Sequence, residues 1–461
     1  MVSVIAEEKA EVNKPIDLAT IINKPPTTEF QRLSTASILD SNNRLINSCN
    51  SQDDSSSGID RILVLSVSPF AKTGVANFNV HLFSSGACEV DYFCQFGSDI
   101  DYESAIFKDN HKLTYYDVGS VLKAVKLKKY NAILVVLANS DHNIPAVIFL
   151  DRLLSLGVKN ISLYIHDVVL LNVVKKLYDF KSEDFLEHVK TLIPSSDFDR
   201  YKASLEAGDF NVVVRNNVSG LNMLLKNRDV TRVFVNSEHS KSLIVNTDGY
   251  LANKISVLFH PVFDPFQASD DLFGEGLVVG TFGVPGPDKM TTIILDAFMF
   301  IQKLYPDSKL IIAGYGVHKF FKNIKINDDI LQSVILDEPE STSDLLTLMR
   351  NVSVAVQLRK FSNGESSGIV PQLLSLDVPC IVSNIGSFVD FGKAVSNVDN
   401  DFTVEDLAEQ IIAASRNRHK DSELRRAYVV NHSPKKCLSL LLKEIGDACT
   451  HELVESPIGD P

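Results

Sequence analysis

From Arg61 onward the chain alternates between short unbroken apolar runs and longer segments whose apolar residues recur every three or four positions. The first run is Ile62-Leu63-Val64-Leu65, and others fall at residues 90–96, 132–137, 161–165, 233–235 and 255–259. Helix-period segments lie between several of them, at 121–127 and 146–156 for example. Continuous apolar strands alternating with helices predict a parallel sheet covered on both faces. Residues 170–227 form a longer, mostly helical stretch that reads as an insertion.

The motif His260-Pro261-Val262-Phe263-Asp264-Pro265 breaks this rhythm, because closely spaced prolines favour an extended crossing. A second series follows, with strands predicted at 277–283, 309–313, 333–336, 352–358 and 380–383. The segment 290–304 predicts an amphipathic helix, with Ile293, Ile294, Ala297, Phe298, Ile301 and Leu304 on one face. Thr403-Val404-Glu405-Asp406 has the form of a capping box ahead of a helix at 407–414, and 435–445 predicts another amphipathic helix. The expected organisation is a tail over 1–58, a doubly wound α/β domain over 59–262, a second over 263–430, and a C-terminal helix and tail over 431–461. Open α/β sheets bind ligands at the carboxyl ends of their strands, so two such domains are expected to face a central cleft.

Composition narrows the functions this frame can serve. A formal charge of −13 argues against nonspecific nucleic-acid binding. No apolar run approaches the ~20 residues of a membrane span, and Met1 to Lys14 lacks the apolar core of a secretory leader. The six cysteines form no CxxC pair and no Cys/His cluster, which points to a reduced cytoplasmic setting without structural zinc. Lys123, Lys126, Lys128 and Lys129, with Leu122, Val125 and Leu127, form a basic cluster. A solvated helix face is its ordinary reading, and a peripheral contact with an anionic membrane is the other.

Candidate chemistry sits at the ends of predicted strands. The richest stretch is Arg359-Lys360-Phe361-Ser362-Asn363-Gly364-Glu365-Ser366-Ser367-Gly368-Ile369-Val370, which runs from a strand into a helix. Unpaired N–H groups at a helix start bind anions, and a carboxylate beside them suits sugar hydroxyls. Phosphate and sugar recognised together indicate a nucleotide-sugar, with Glu365 on the sugar and Ser366, Ser367, Gly368 and Ile369 offering further contacts. The alternative is a surface acid favoured by the helix dipole. Gly280-Thr281-Phe282-Gly283-Val284-Pro285-Gly286-Pro287-Asp288-Lys289 is a strand, a loop and a Lys at a helix start, placing Lys289 to neutralise a diphosphate. In the first domain, Ser68 to Ala76 follows the first strand with the single glycine Gly74, matching neither G-x-G-x-x-G nor the P-loop. His166-Asp167 ends one strand and Asn139-Ser140-Asp141-His142 ends the one before it. These positions suit side chains that project towards an acceptor, and each also reads as an ordinary turn or cap. His239, His260 and His318 belong to no evident constellation.

Together these residues resemble the GT-B glycosyltransferases, and within them the retaining glycosyltransferase family four. The likeness spans about residues 60–430 and is strongest over 277–390. Gly283 to Lys289 matches the family's glycine loop with its Lys, and Glu365-Ser366-Ser367-Gly368 followed by Val378-Pro379-Cys380-Ile381-Val382-Ser383 and Gly386-Ser387-Phe388 matches its donor loop. The resemblance implies transfer of a sugar from a nucleoside diphosphate donor, GDP- or UDP-linked, to a saccharide, lipid-linked or protein acceptor with retained anomeric configuration. It implies no cofactor and no bound metal. Glu365, Lys289 and His166 would be the catalytic set. Gly283, Lys289, Arg359, Glu365, Ser366, Ser367, Gly368, Ile369 and Gln372 would hold the donor, and Gly74, Asn139, His166 and Asp167 would face the acceptor. The chain departs from the family in three places. Gln372 stands in the region of the second Glu that holds the ribose. The turn before Pro379 is Ser375-Leu376-Asp377-Val378, without a glycine. No Arg precedes Lys289 in its loop, and Arg359 is the nearest substitute. These departures motivate a second reading, a noncatalytic binding or scaffold protein on the same frame. A sugar-nucleotide epimerase is a third.

Overall fold

The computed structural model describes residues 61–68, 71, 73–83, 88–94, 113–117, 130–155, 157–226, 228–262, 276–322, 324, 326 and 330–454. The expected tail, the basic cluster at Lys123 to Lys129, the helix at 121–127 and the second half of the proline-marked crossing, from Phe263 to Pro265, lie outside the described residues. By backbone contacts the chain divides into two compact units. The first gathers residues up to Asn236, Ser240–Leu258 and those from Leu438 on, and the second comprises Ser237–His239 and Phe259–Cys437.

The first unit holds a parallel sheet of seven strands, β1 (Arg61–Leu65), β2 (Glu89–Cys94), β3 (Leu113–Asp117), β4 (Ala132–Leu137), β5 (Ile161–Ile165), β6 (Arg232–Val235) and β7 (Ile255–Val257), in the order β3-β2-β1-β4-β5-β6-β7. β1 lies between β2 and β4, with Val64 opposite Tyr92 on one side and Leu134 on the other. β4 and β5 are buried at every residue, as strands covered on both faces must be. The stretch expected as an insertion supplies five helices between β5 and β6, from Leu171–Leu177 to Leu221–Leu225. Their residues Val173, Phe185, Tyr201, Val213 and Leu224 join the same core as Leu163 and Val233. The C-terminal helix Pro434–Val454 is tied to this unit through Glu444, whose carboxylate accepts from Ser256 at 2.8 Å and lies 3.6 Å from Arg232.

The second unit holds six parallel strands, β8 (Val278–Phe282), β9 (Lys309–Ala313), β10 (Val334–Asp337), β11 (Val354–Gln357), β12 (Cys380–Ser383) and β13 (Ser396–Val398), ordered β10-β9-β8-β11-β12-β13. Strand alternation separates two cores. Val279, Leu310, Ile312, Val354, Val356 and Ile381 pack with Ile294, Phe298 and Ile301 of the helix Thr291–Leu304. Val278, Ile311, Ala313, Ala355, Cys380 and Val382 pack on the other face with Val370 and Leu374 of the helix Ile369–Ser375. The predicted capping box is present: Thr403 Oγ1 accepts from Asp406 N, the Asp406 carboxylate accepts from Thr403 N, and the helix Val404–Arg416 follows.

Both sheets begin in the centre and reverse direction between their first and fourth strands, the order of Rossmann-like domains. That reversal creates the crevice of interest, between β1 and β4 in the first unit and between β8 and β11 in the second. No helix among the described residues is long and apolar enough to cross a membrane.

Candidate functional site

At the switch point of the second unit, β8 ends in Gly283, whose φ of +101° favours glycine. Its N–H donates to the Ala313 carbonyl at 2.8 Å. Gly314 lies hard against it: a Cβ on Gly314 would fall 2.3 Å from the Gly283 carbonyl oxygen. The loop then closes on itself, with Gly286 N donating to Thr291 Oγ1 at 3.1 Å. A short turn, Pro287–Lys289, leads through Met290 at φ +53° into the helix Thr291–Leu304. Lys289 Nζ is part-exposed and lies 3.8 Å from Asp288.

β11 delivers the opposite wall. Gln357 continues the β8–β11 pairing with its side chain. In the amide orientation that satisfies both groups, its nitrogen donates to Phe282 O at 3.0 Å and its oxygen accepts from Phe282 N at 2.7 Å. Arg359 is 7% exposed. Its backbone N donates to Ser383 Oγ at 2.9 Å, and its guanidinium carbon lies 5.2 Å from the Phe388 ring centre. The same guanidinium forms an ion pair with the Glu365 carboxylate. Glu365 also accepts from Asn363 N at 2.7 Å, while its carbonyl accepts from Ser387 Oγ at 2.9 Å. The reversal that brings Glu365 back onto Arg359 passes through Gly364 at φ +87°. Ser367 Oγ accepts from Val370 N at 3.3 Å, holding the first turn of the helix Ile369–Ser375.

These walls enclose a cavity of about 210 Å³. Of the residues expected to hold a donor, Gly283, Lys289, Arg359, Ser366, Ser367, Gly368 and Ile369 all line it. Glu365 and Gln372 do not. Glu365 stands behind Arg359 as its ion partner. Gln372 is half-buried on the helix, and its Oε1 is buried without a hydrogen-bond partner. Phe388, from the loop matched to the family's donor motif, also lines the cavity, as does Gln357, which motif spacing left out. His260, which the sequence placed in no constellation, is buried beside the same loop, with Nε2 3.9 Å from where a Gly368 Cβ would stand. The volume is below the roughly 300–1,000 Å³ of a full small-molecule site.

The residues expected to face an acceptor all follow carboxyl ends of strands in the first sheet. His166, after β5, is 8% exposed. Its ring meets Phe78 edge-on at 4.3 Å and lies 5.1 Å from Tyr164. His166 Nδ1 is 3.2 Å from Asn236 Nδ2, whose own Oδ1 accepts from Tyr164 at 2.8 Å. An amide nitrogen donating to Nδ1 assigns the ring proton to Nε2. Asp167 accepts from Asn139 N at 2.8 Å, and Asn139 Oδ1 accepts from Asn172 N at 2.7 Å, so this pair ties the ends of β4 and β5 to the following helix. Gly74 opens the helix Gly74–Phe83, with no atom within 4 Å of an added Cβ, and Thr73 Oγ1 accepts from Ala76 N at 3.1 Å.

After β13 the chain carries the triplet Asp399-Asn400-Asp401. Asp399 accepts from Asn384 at 2.8 Å, and Asn400 donates to the Arg359 carbonyl at 3.0 Å. Among the described residues no group of three or more His, Cys, Asp or Glu gathers to hold a metal ion.

No protein-family model matches the sequence, and comparison with curated proteins finds no match. Solved structures do align over most of the chain. The Anabaena protein HepE in complex with UDP is 14% identical, with a TM-score of 0.52 over 85% of this chain and 100% of that one. A glycosyltransferase from Rickettsia africae gives 14% identity and a TM-score of 0.55 over 84% and 98%. The α,α-trehalose 6-phosphate synthase of Burkholderia multivorans gives 12% and 0.55 over 88% and 100%. The chain has the GT-B fold. At these identities the likeness is one of fold, and the case for chemistry rests on the residues.

Proposed function

We propose that the chain is a glycosyltransferase that moves a sugar from a nucleoside diphosphate donor to an acceptor with retention of configuration, without a bound metal. The observation that carries this reading is the convergence of Lys289 and Arg359 on one small cavity at the β8–β11 switch point. Two fixed cations in a confined space stabilise a diphosphate, most of all as negative charge builds on it during departure. Arg359 supplies from β11 the guanidinium that the β8 loop lacks. The fork-shaped guanidinium suits two phosphate oxygens at once. Because Glu365 holds the same guanidinium, the incoming diphosphate competes for it, and the released carboxylate accepts from hydroxyls of the donor sugar. His166, held as the Nε2–H tautomer at the carboxyl end of β5, is the first unit's candidate for positioning an acceptor. HepE, of the same fold, was solved with UDP and with UDP-glucose, which supports a nucleotide-sugar donor here. The saccharide, lipid-linked or protein nature of the acceptor is left to assay.

Titration calorimetry with UDP and GDP, alongside donor turnover, tests the proposal. Lys289→Ala and Arg359→Ala are each expected to weaken nucleotide binding by about 10- to 100-fold, the worth of one charge-assisted contact. Glu365→Ala is expected to spare nucleotide binding and abolish transfer. Unchanged nucleotide affinity in both cation variants rules the assignment out. A noncatalytic binding protein is the second reading, favoured by Gln372, which stands in the region of the family's second acid and does not line the cavity. Stabilisation by nucleotide without turnover of any donor or acceptor selects it. An epimerase is distinguished by isomerisation of the donor with no acceptor present.

A further inference from the structure

A second cavity, of about 300 Å³, lies at the opposite end of the same sheet. Cys380 and Ser396, the first residues of β12 and β13, line it. The cavity between Lys289 and Arg359 sits instead at strand carboxyl ends.

Arg425 anchors this second cavity. Its side chain is only 3% exposed. Nε donates to Asp377 Oδ1 at 2.7 Å, and Nη2 donates to the Arg418 carbonyl. Nη1 makes no hydrogen bond among the described residues, on a side chain that lines the cavity. Lys393 and Lys420 line it too; both are exposed, and neither joins an ion pair among the described residues. Asp421 is the carboxylate of the lining, and it makes no capping bond to the helix it precedes. Gln410 and Asn417 add amides. Arg425, Lys393 and Lys420, set against Asp421 and the Asp377 carboxylate paired with Arg425, leave a local charge of about +1, which offsets part of the roughly −1.5 to −2 of a phosphomonoester at neutral pH. Asp421 repels a bare phosphate but accepts from hydroxyls, so the lining as a whole suits a phosphate carried on a polyhydroxylated body.

We propose that this cavity binds a sugar phosphate, at a site separate from the one that holds Lys289. The inference does not depend on the transfer reaction, because no residue is shared between the two linings.

Calorimetry on the full chain tests it with three probes: glucose 6-phosphate, glucose and inorganic phosphate. Glucose 6-phosphate is expected to bind at least tenfold more tightly than either of the others. The double variant Lys393→Ala/Lys420→Ala changes only exposed side chains, and is expected to keep its melting temperature while losing at least tenfold in this affinity. Lys289→Ala is expected to leave it unchanged. The proposal is overturned if glucose 6-phosphate does not bind, if it binds no better than inorganic phosphate, if binding survives the double lysine variant, or if binding is lost in Lys289→Ala.

Discussion

Replacing Gly314 by Ala gives the sharpest test of how the cavity between Lys289 and Arg359 is held. The new Cβ would stand 2.3 Å from the Gly283 oxygen, 2.6 Å from its carbonyl carbon and 2.8 Å from its Cα. Ordinary carbon contacts begin near 3.5 Å, so the two strand ends must part by roughly 1 Å. The obstacle is backbone, with no flexible side chain to turn aside. Overpacking and the φ of +151° at Gly314 together cost roughly 2–6 kcal/mol. At about 2–4 °C per kcal/mol for a unit of this size, the melting temperature should fall by about 4–24 °C. The same displacement moves Gly283, which lines the cavity, and a misplacement of this order costs on the order of 100-fold where geometry controls a reaction. Gly316→Ala is the control. Its φ is +81°, but an added Cβ meets nothing within 4 Å, so only backbone strain of about 1 kcal/mol applies. Differential scanning fluorimetry and UDP titration on the two variants provide the comparison. Equal melting points and equal UDP affinities for Gly314→Ala and Gly316→Ala would refute the reasoning.

Other consequences can be measured directly. Burial raises the Asp248 pKa from 3.8 to about 6, partly offset by the Thr247 hydroxyl. The folded chain therefore keeps this proton up to about pH 6 while the unfolded chain releases it near 3.8, so the contribution to stability falls as pH rises between those values. Asp248→Asn should remove that slope and be more stable at pH 7.5 by up to about 3 kcal/mol; urea melts at pH 4.5 and 7.5 with no difference in slope would contradict it. Asp377→Gly relieves a left-handed residue at φ +56°, worth about 1 kcal/mol, but removes the acceptor of Arg425 Nε at 2.7 Å and of Ser422 Oγ at 2.6 Å. Because the Asp377 side chain is one-third exposed, the lost pairing is discounted to about 2–3 kcal/mol, and net destabilisation of about 1–2 kcal/mol is expected. A gain in stability by chemical denaturation would reverse that ranking. Thr403→Ala removes the hydroxyl that accepts from Asp406 N at 3.1 Å and should lower the melting temperature by a few degrees, whereas Thr403→Ser should not.

Most of the sheet framework was legible as apolar runs. β4, β5, β9 and β12 coincide with their predicted limits, because each is a short, largely buried apolar run. β3 and β13 were not legible. Leu113-Thr114-Tyr115-Tyr116-Asp117 and Ser396-Asn397-Val398 carry too few aliphatic residues to announce a strand, and their places come from pairing with β2 and β12. Around the cavity, spacing pointed to Lys289 and Ser366 to Ile369, since loops at strand ends carry a local signature. It did not show that Glu365 would meet Arg359, because that contact depends on a reversal at Gly364 and on Ser387 gripping the Glu365 carbonyl. Gln357 was equally hidden, since its partner is the backbone of Phe282, on a strand distant in sequence. The glycine-free turn at Asp377 reads as a defect in sequence. In the fold it is a left-handed residue whose carboxylate satisfies a buried arginine.

Because β8 comes first in its sheet but sits at the centre, it must wait for β11, and the Val278–Ser353 contact beside them spans 75 residues. Closing so long a loop carries an entropic penalty that local helices do not. During synthesis, Lys289 leaves the ribosome well before Arg359 and Phe388 exist to face it. The cavity between Lys289 and Arg359 is therefore among the last parts of this unit to take shape, and any ligand it holds meets only the finished lobe and cannot template its early strands.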